Sequence, residues 1–486
     1  MRTLILSVSI LGLAASVQAQ EYSPVNDPAQ PYTFIGGSVL PPAGTGWRFK
    51  RHREELQLEF ASGEDYRHTW AAVVSSYNGI DTTLSLDLLE HLARHRALEG
   101  QGRTMTPKSF EAMPDSTIAP LAVRYHYQIE DRNVPYDKGK LYNLEGRGVL
   151  MVHPDTPNLV IAIEYSERAE ASIAMAQSAA GDSFLAHLSL ARLDTAGVRR
   201  LDVGSRPFLV VSAPGALWVA CWRNPEGGKD GKVWSEVLRV DPLSLEIQAR
   251  VRIEGVISDL AATAEGIWVA GYRTGLLQRL DPASLATTAT VRKGDNPERM
   301  LVTSEALWVS DRSHGTLESV DLRTLELNRK RIRGLKRPFS IVEAHGLLWI
   351  LDTESQTAVS LDPKSRELVG PPIPLPGRPG AMVYGDGSLW IWSGGTRALQ
   401  RIDPSKRAVV ATIPLGIPTS DLTYKGRALW LASSADGRLI KIDPATNRIA
   451  SKSACVGLEI ASIAASEDAV YVADNTIGTI ARVPLH

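Results

Sequence analysis

The sequence predicts a multidomain protein in which an N-terminal α+β domain precedes an all-β seven-bladed propeller. Three observations lead to this fold class. The 486 residues exceed one domain of ordinary size, which is roughly 100–200 residues. A short segment built around one aromatic residue recurs seven times, and a second, acidic marker keeps the same phase. Two independent markers in one phase indicate a structural repeat.

The aromatic marker has the form Leu-Trp-Val-Ala, and its copies lie 50, 40, 41, 41, 40 and 41 residues apart. Its anchors are Trp218, Trp268, Trp308, Trp349, Trp390, Trp430 and Tyr471. The acidic marker has the form Arg-Ile-Asp-Pro, with its acids at Asp241, Asp281, Asp321, Asp362, Asp403 and Asp443. Because the aromatic residues recur at one strand position, we expect them to pack between neighbouring blades rather than to form a stacking platform for a ligand. The aspartates are expected to form turns rather than a catalytic set.

Each repeat is expected to contain four short strands. The β-branched and aromatic marker predicts a strand, and turn residues before it, such as Gly385-Asp386-Gly387, predict a hairpin. Four strands in about 40 residues is the size of a propeller blade. Helical repeats share this period, but Gly, Pro and β-branched residues are too frequent here for helix pairs.

The last repeat ends after its third strand, so its fourth strand is expected to come from the beginning of the array. Residues 197–203 read like the fourth strands of other repeats and should pair antiparallel with residues 478–483. This joint would remove the exposed edge that an open sheet leaves. The propeller is therefore assigned to residues 197–486.

Residues 1–19 read as a secretory signal peptide, with Arg2, an apolar stretch too short to span a bilayer, and a small-residue cleavage site that ends at Ala19. No later stretch is apolar enough to predict a membrane span. The mature protein is therefore expected in the periplasm or outside the cell, which is an oxidising environment.

Residues 20–190 carry no repeat and are assigned to the α+β domain. The predicted elements are a helix over residues 83–96, a strand over 121–130, a hairpin formed by 149–152 and 159–165, and a second helix over 169–179.

The composition narrows the function classes. Lys and Arg number 53 against 54 Asp and Glu, a net charge of -1, so no global basic field exists to bind nucleic acid. Only two cysteines occur, which excludes a disulfide scaffold and a cysteine-based zinc site. The repeat phase places Cys221 and Cys455 on different blades, so both thiols should be free and buried. No metal and no cofactor are expected.

The repeated Leu-Trp-Val-Ala and Asp-Pro segments, together with Tyr471-Val472-Ala473-Asp474-Asn475, resemble the YVTN-repeat and virginiamycin B lyase-like seven-bladed β-propellers. The resemblance covers residues 197–486. It implies the propeller fold. It also implies one alternative activity, since these lyases use a His, a Glu and a magnesium ion to open a cyclic ester. His314 and Glu354 fall in the same kind of loop on neighbouring blades and are the candidates for that role, although they do not align with the lyase motif.

The positions that break the repeat are better candidates for ligand binding. In a propeller, the link from an outer strand to the next inner strand lies on the same face as the turn between second and third strands. The candidate ligand-binding residues on that face are Arg206, Arg299, Arg337 and Arg378 in links, Arg223, Arg273 and Arg312 in turns, and Asp311, Asp352 and Asp474 beside them. Arginines converging on one mouth would attract an anion.

The sequence therefore predicts an exported binding protein whose propeller mouth holds a small anionic ligand or a partner protein. The first repeat carries ten extra residues within residues 223–236, which are expected to form a lid or a partner contact over the same face. The alternative is a lyase or hydrolase that acts at the same mouth with a divalent cation.

Overall fold

The computed structural model describes residues 22–44, 46–52, 57–65, 68–77, 84–98, 105–132, 139–170, 178–222, 233–294, 296–434 and 436–485. The chain divides into two compact units between Arg192 and Leu193. The predicted signal peptide over residues 1–19 lies outside the described residues, and so do residues 223–232 of the lid predicted within residues 223–236.

The described elements of the first unit are β1 (Ser23–Pro24), β2 (Tyr32–Phe34), β3 (Gly37–Val39), β4 (Arg48–His52), β5 (Gln57–Asp65), β6 (His68–Tyr77), α1 (Leu86–Leu98), β7 (Met105–Pro114), β8 (Ala122–Asp131), β9 (Tyr142–His153), β10 (Thr156–Ala169), α2 (Ser178–Ala186) and β11 (Leu188–Leu190). The strands form an antiparallel sheet with the order β1-β4-β5-β6-β10-β9-β8-β7 and a small sheet with the order β11-β3-β2. The hairpin predicted from residues 149–152 and 159–165 is confirmed as β9 and β10.

The two predicted helices differ from those observed in this unit. Helix α1 begins at Leu86, where Ser85 Oγ accepts a hydrogen bond from the Leu88 N–H at 3.2 Å and caps the first turn. The second helix was predicted over residues 169–179, and this is wrong at its start, because Ala169 ends β10 and pairs with His68. Strand pairing overrides helix propensity here, since propensity is only a weak determinant of structure. Residues 171–177 of the predicted helix lie outside the described residues. Helix α2 begins at Ser178.

A buried carboxylate lies between α1 and the sheet of the first unit. Glu164 accepts hydrogen bonds from Tyr125 Oη at 2.7 Å, Tyr127 Oη at 2.8 Å and Arg96 Nε at 3.3 Å. Gly148 of β9 leaves the space that the Tyr125 ring fills, since a Cβ there would lie 2.6 Å from it. The cluster is closed by its own hydrogen bonds and joins the helix to the sheet.

In the second unit, the described residues form seven four-stranded antiparallel sheets, which we number 1 to 7 in chain order. Their strands are β13 (Arg206–Ala213), β14 (Ala216–Trp222), β15 (Trp234–Val240) and β16 (Ile247–Glu254) in sheet 1; β17 (Val256–Thr263), β18 (Gly266–Tyr272), β19 (Leu276–Leu280) and β20 (Thr287–Arg292) in sheet 2; β21 (Met300–Val302), β22 (Ala306–Asp311), β23 (Thr316–Asp321) and β24 (Leu327–Ile332) in sheet 3; β25 (Pro338–Ala344), β26 (Leu347–Asp352), β27 (Thr357–Asp362) and β28 (Glu367–Pro374) in sheet 4; β29 (Pro379–Gly385), β30 (Ser388–Ser393), β31 (Ala398–Asp403) and β32 (Ala408–Pro414) in sheet 5; β33 (Thr419–Lys425), β34 (Ala428–Ser433), β35 (Arg438–Asp443) and β36 (Arg448–Cys455) in sheet 6; and β12 (Arg199–Asp202) with β37 (Ile460–Ala465), β38 (Ala469–Asp474) and β39 (Thr479–Pro484) in sheet 7.

The first strands of these sheets contact one another in a closed series. β13 contacts β17, β17 contacts β21, and the series continues through β25, β29, β33 and β37 back to β13. The predicted closure is confirmed, because β12 pairs antiparallel with β39 through Leu201 and Ile480. The arrangement is propeller-like.

A recurrent turn connects the third and fourth strands of a sheet and packs against the neighbouring sheet. As predicted, the repeated aspartates form turns: Asp241 Oδ1 accepts the N–H groups of Leu243 at 2.9 Å and Ser244 at 2.7 Å. The residue four positions after each aspartate has a positive φ; these residues are Leu245, Leu285, Leu325, Arg366, Arg407 and Asn447. Leu285 of sheet 2 packs in one buried cluster with Trp218 of sheet 1. The predicted packing of the aromatic anchors between sheets is thus confirmed.

No helix among the described residues is both long and apolar enough to cross a membrane.

Candidate functional site

The links and turns singled out by the sequence occupy one edge of each sheet in the second unit. Because the first and second strands are antiparallel, the start of one lies beside the end of the other. Pro338, the first residue of β25, pairs with Asp352, the last residue of β26. We call this side of the sheets, formed by links and second-to-third-strand turns, the link–turn edge.

Six of the seven predicted arginines lie at the link–turn edge of their sheets. Arg206 begins β13, and Arg299, Arg337 and Arg378 immediately precede β21, β25 and β29. Arg273 and Arg312 immediately follow β18 and β22. Arg223 lies outside the described residues.

The three predicted aspartates are buried at this edge, and their carboxylates bind the main chain. Asp352 accepts the N–H groups of Lys336 at 2.8 Å and Arg337 at 2.9 Å from the preceding link, and that of Ser355 from its own turn. Asp474 accepts the N–H groups of Glu459 and Thr476 in the same way. These aspartates therefore hold a link against a turn, and their carboxylate oxygens already accept hydrogen bonds from main-chain N–H groups.

Asp311 occupies the same position in sheet 3 and also belongs to a buried ion network. Lys293 Nζ lies 3.1 Å from Asp311 Oδ2 and 2.9 Å from Glu318 Oε2, and Arg331 Nε lies 2.6 Å from Glu318 Oε1. Burial opposes ionisation of Asp311, but the Lys293 ammonium and the main-chain N–H of His314 outweigh it and hold the pKa of Asp311 below its ordinary value.

Arg299 and Arg312 are brought together by one aromatic ring. Their guanidinium carbons lie 4.9 Å and 5.5 Å from the centre of the Phe339 ring of sheet 4. Arg299 is also paired with Asp259 at 3.3 Å, and Arg312 lies 3.9 Å from Glu298. These two cations therefore have internal partners.

Two further carboxylates, which the sequence did not predict, bind the first strand of the next sheet. Asp259 accepts the Met300 N–H of the next sheet at 2.7 Å, and Asp421 accepts the Ile463 N–H of the next sheet at 2.9 Å. Burial raises the pKa of both aspartates, although Arg299 lowers each. Both aspartates stand in a Ser-Asp-Leu triplet nine residues before an aromatic anchor, Trp268 or Trp430, and this shared position was the available signal.

Three other predicted arginines at the link–turn edge are open to solvent, whereas Arg206 is half-buried. Arg273, Arg337 and Arg378 are exposed. Arg273 and Arg378 have φ values of 65° and 47°, in the left-handed region that arginine rarely adopts. Such strained residues concentrate at functional sites.

Sequence reasoning missed other exposed cations here: Arg333, Lys336 and Arg397. Arg397 has a φ of 48° at the turn position where sheets 2, 3, 6 and 7 have Gly275, Gly315, Gly437 and Gly478. An arginine in the place of a repeated glycine was the available signal.

Residues 333–337, which we call the basic link, combine a backbone held by neighbouring residues with long, exposed cationic side chains. Leu335 is buried in a cluster with Trp308, while Asp352 holds the next two N–H groups. The link also packs on the turn of sheet 3, where a Cβ on Gly315 would lie 2.3 Å from the Leu335 carbonyl oxygen. Arg333, Lys336 and Arg337 are thereby presented together on one rigid segment.

The two catalytic candidates are both exposed at the link–turn edge. His314 Nδ1 lies 3.2 Å from each carboxylate oxygen of Asp311, and Glu354 follows β26 in the next sheet. Within the described ranges, no three His, Cys, Asp or Glu side chains are grouped as metal ligands. Because the Asp311 oxygens are bound by Lys293 and by main-chain N–H groups, these residues do not fit a magnesium site.

The closed series of four-stranded antiparallel sheets places this chain in the class of propeller-like β proteins. A chain of a mitotic checkpoint complex matches 59% of this chain over 94% of its own length, with 12% identity and a TM-score of 0.50. A catalytically inactive variant of virginiamycin B lyase from Staphylococcus aureus with quinupristin matches 60% of this chain over 99% of its own, with 13% identity and a TM-score of 0.49. A streptogramin B lyase matches 60% over 97% of its own, with 14% identity and a TM-score of 0.49. No family profile and no curated protein sequence matches the chain. At such identities a similar fold does not imply a similar function.

Proposed function

We propose that the protein is an exported binding protein in which sheets 1 to 7 are the blades of a seven-bladed propeller of the virginiamycin B lyase-like type and an α+β domain precedes them. Its ligand is a small anion or an acidic partner protein, held at the link–turn edge. Export through residues 1–19 would place it in the periplasm or outside the cell. Binding of this kind needs no cofactor.

One observation carries the proposal: exposed cations of neighbouring sheets share the link–turn edge on a backbone that buried aspartates fix. Asp352 sets the main chain of Lys336 and Arg337, so these side chains lose little further backbone entropy when they bind. Arginine presents a planar fork that fits carboxylate and phosphate groups.

The structure changes the set of residues assigned to this role. Arg337, Arg378 and Arg273 are exposed and available, whereas Arg299 and Arg312 have carboxylate partners and lie over Phe339. The predicted aspartates support the loops rather than the ligand. Arg206 is half-buried at the start of β13 and contributes to the field of this edge.

Isothermal titration of the mature protein with citrate, phosphate and the neutral compound glycerol tests the proposal. We expect both anions, but not glycerol, to bind, and the double variant Arg337→Gln, Arg378→Gln to lose about tenfold in affinity. A matched control is Arg323→Gln, Lys364→Gln, which removes two exposed cations from the opposite edge. Equal affinity of both double variants, or no anion binding at all, would contradict the proposal.

A second candidate is a lyase or hydrolase at the same edge, and one contact favours it. The buried Asp311 carboxylate holds the exposed His314 imidazole through Nδ1, an arrangement that orients a general base. Quinupristin, the compound bound in the lyase structure, can be incubated with the protein and followed by mass spectrometry. Ring opening that disappears in His314→Gln would support catalysis, and unchanged quinupristin would oppose it.

A further inference from the structure

We infer that the anionic ligand of the link–turn edge is an acidic peptide segment of a partner protein, bound along the basic link. The inference depends on the proposed function and narrows it. Residues 329–337 contain six Lys or Arg residues and no acid. In a chain with a net charge of -1, this is a local concentration of positive charge.

The three cations of the basic link are not neutralised internally. Arg333, Lys336 and Arg337 are exposed, and none of them forms an ion pair with the residues that the structure describes. Arg331 differs, since the buried Glu318 carboxylate binds it. Three charges spread along a rigid five-residue segment complement several carboxylates in a row better than one small anion.

The main chain next to the basic link is not available for strand addition. At the free edge of β24, the Lys330 N–H donates to Asn328 Oδ1 at 3.0 Å and the Lys330 carbonyl accepts from Arg366 Nη2 at 2.8 Å. Because these groups are occupied, an incoming strand could not pair at this point. Recognition must therefore use the cationic side chains.

The surroundings favour a peptide over a nucleic acid. Single-stranded nucleic acids bind through aromatic side chains on which bases stack. The basic link contains no aromatic residue. The nearby Phe339 ring already lies beneath the guanidinium groups of Arg299 and Arg312. Carboxylates need only the charge and hydrogen-bond donors that the link supplies.

The test measures fluorescence anisotropy of a labelled peptide of ten glutamates with the full mature protein, at low and at physiological salt. A peptide of ten glutamines controls for charge, and a single-stranded deoxythymidine decamer controls for polymer class. The variant Arg333→Gln, Lys336→Gln, Arg337→Gln is compared with Arg323→Gln, Lys364→Gln, Lys406→Gln, which removes three exposed cations at the opposite edge.

We expect oligoglutamate to bind, oligoglutamine not to bind, and salt to weaken the complex. The basic-link variant should raise Kd about tenfold, which corresponds to about 1.4 kcal/mol, and the opposite-edge variant should leave it unchanged. Citrate and phosphate binding without tighter oligoglutamate binding would overturn this inference while the proposed function stands. Tighter binding of the deoxythymidine decamer would overturn the peptide assignment. Failure of every anion would overturn both.

Discussion

The guanidinium of Arg407 in sheet 5 lies 5.0 Å from the centre of the Trp349 ring in sheet 4. The same side chain donates to Ser360 Oγ at 2.8 Å and to the Pro371 carbonyl at 2.9 Å. Arg366 repeats this contact over Trp308 at 4.9 Å, one sheet earlier. The turn residue of one sheet therefore covers the aromatic anchor of its neighbour, which joins the repeats into one structure.

The first prediction separates the contacts of Arg407 from its backbone strain. Arg407→Ala should destabilise the protein by about 2 kcal/mol, because it removes the contact with Trp349 and two hydrogen bonds. Arg407→Gly loses the same contacts but relieves the φ of 51°, so it should be about 1 kcal/mol more stable than the alanine variant. Urea denaturation followed by tryptophan fluorescence gives both values. Lys406→Ala, in the same turn, is the control; alanine and glycine variants of equal stability would show that the positive φ costs nothing.

The second prediction concerns ring closure. Replacing residues 198–203 with a Gly-Ser linker of equal length should destabilise the second unit by about 4 kcal/mol or more, because β39 loses its neighbour and the buried side chain of Val203 leaves its cluster. Differential scanning calorimetry of the full chain measures the loss. A Gly-Ser replacement of the exposed turn residues Ser405 and Lys406 serves as the control. An unchanged melting temperature would show that β12 does not close the ring.

Repetition explains how much of this fold could be predicted. The aromatic and acidic markers recur in phase, so the strands, the turns and the β12–β39 joint follow from spacing alone. The first unit has no repeat, and there the helix predicted at Ala169 gave way to strand pairing with His68. The site was less predictable because a sequence shows which residues break the repeat but not what they contact. Thus Asp352 was grouped with ligand residues although it binds the main chain. The buried Asp259 was overlooked because its Ser-Asp-Leu triplet recurs in only one other sheet, at Asp421.

A third prediction concerns the half-buried Asp421, whose pKa is raised above the ordinary value of 3.8 because its carboxylate is poorly solvated. A raised pKa means that the unfolded chain ionises first. The contribution of the protonated Asp421 to the free energy of unfolding is therefore complete below pH 3.8. It is lost as pH rises through the raised pKa of the folded state. Relative to Asp421→Asn, the wild type should lose unfolding free energy across that window and then level off. Urea titrations between about pH 3.5 and pH 7 measure the difference.

Arg299 offers an internal check on this prediction. Since its guanidinium lowers the folded-state pKa of Asp421, Arg299→Gln should move the upper end of the window to higher pH, while the lower end stays at the unfolded value. Turn aspartates such as Asp403, whose pKa is lowered to about 2 by hydrogen bonds from Ser405 and Lys406, act in the opposite direction but cancel in the comparison. A window that does not move would mean that Arg299 and Asp421 are not electrostatically coupled.

The fourth prediction tests the fastening of the basic link. Asp352→Ala leaves the N–H groups of Lys336 and Arg337 without their acceptor and should destabilise the protein by about 3 kcal/mol. Hydrogen exchange at these two amides should accelerate more than at the buried strand β27. Asp352→Asn retains one acceptor oxygen and should show a smaller change. Equal protection of the two amides in all three proteins would remove Asp352 from this role.

The last prediction concerns the two cysteines. Cys221 lies in β14 of sheet 1 and Cys455 ends β36 of sheet 6; both are buried thiols rather than a disulfide, as the repeat phase predicts. Burial raises the pKa of the Cys455 thiol from 9.0 to about 11. The thiol also donates a hydrogen bond to the Gly457 carbonyl at 3.0 Å, which favours the protonated form. At pH 8 its thiolate fraction should therefore be about a hundredfold below that of an unfolded cysteine. Iodoacetamide should label native Cys455 at least a hundredfold more slowly than the same residue in urea-denatured protein. Non-reduced denatured protein should take two labels, as counted by mass spectrometry.

The pH profile of labelling separates the two causes of protection. A raised pKa predicts that native labelling becomes faster up to about pH 11, whereas burial alone predicts a rate set by opening of the structure. Denatured protein that takes no label would mean that the cysteines are joined and that the order of the sheets is wrong.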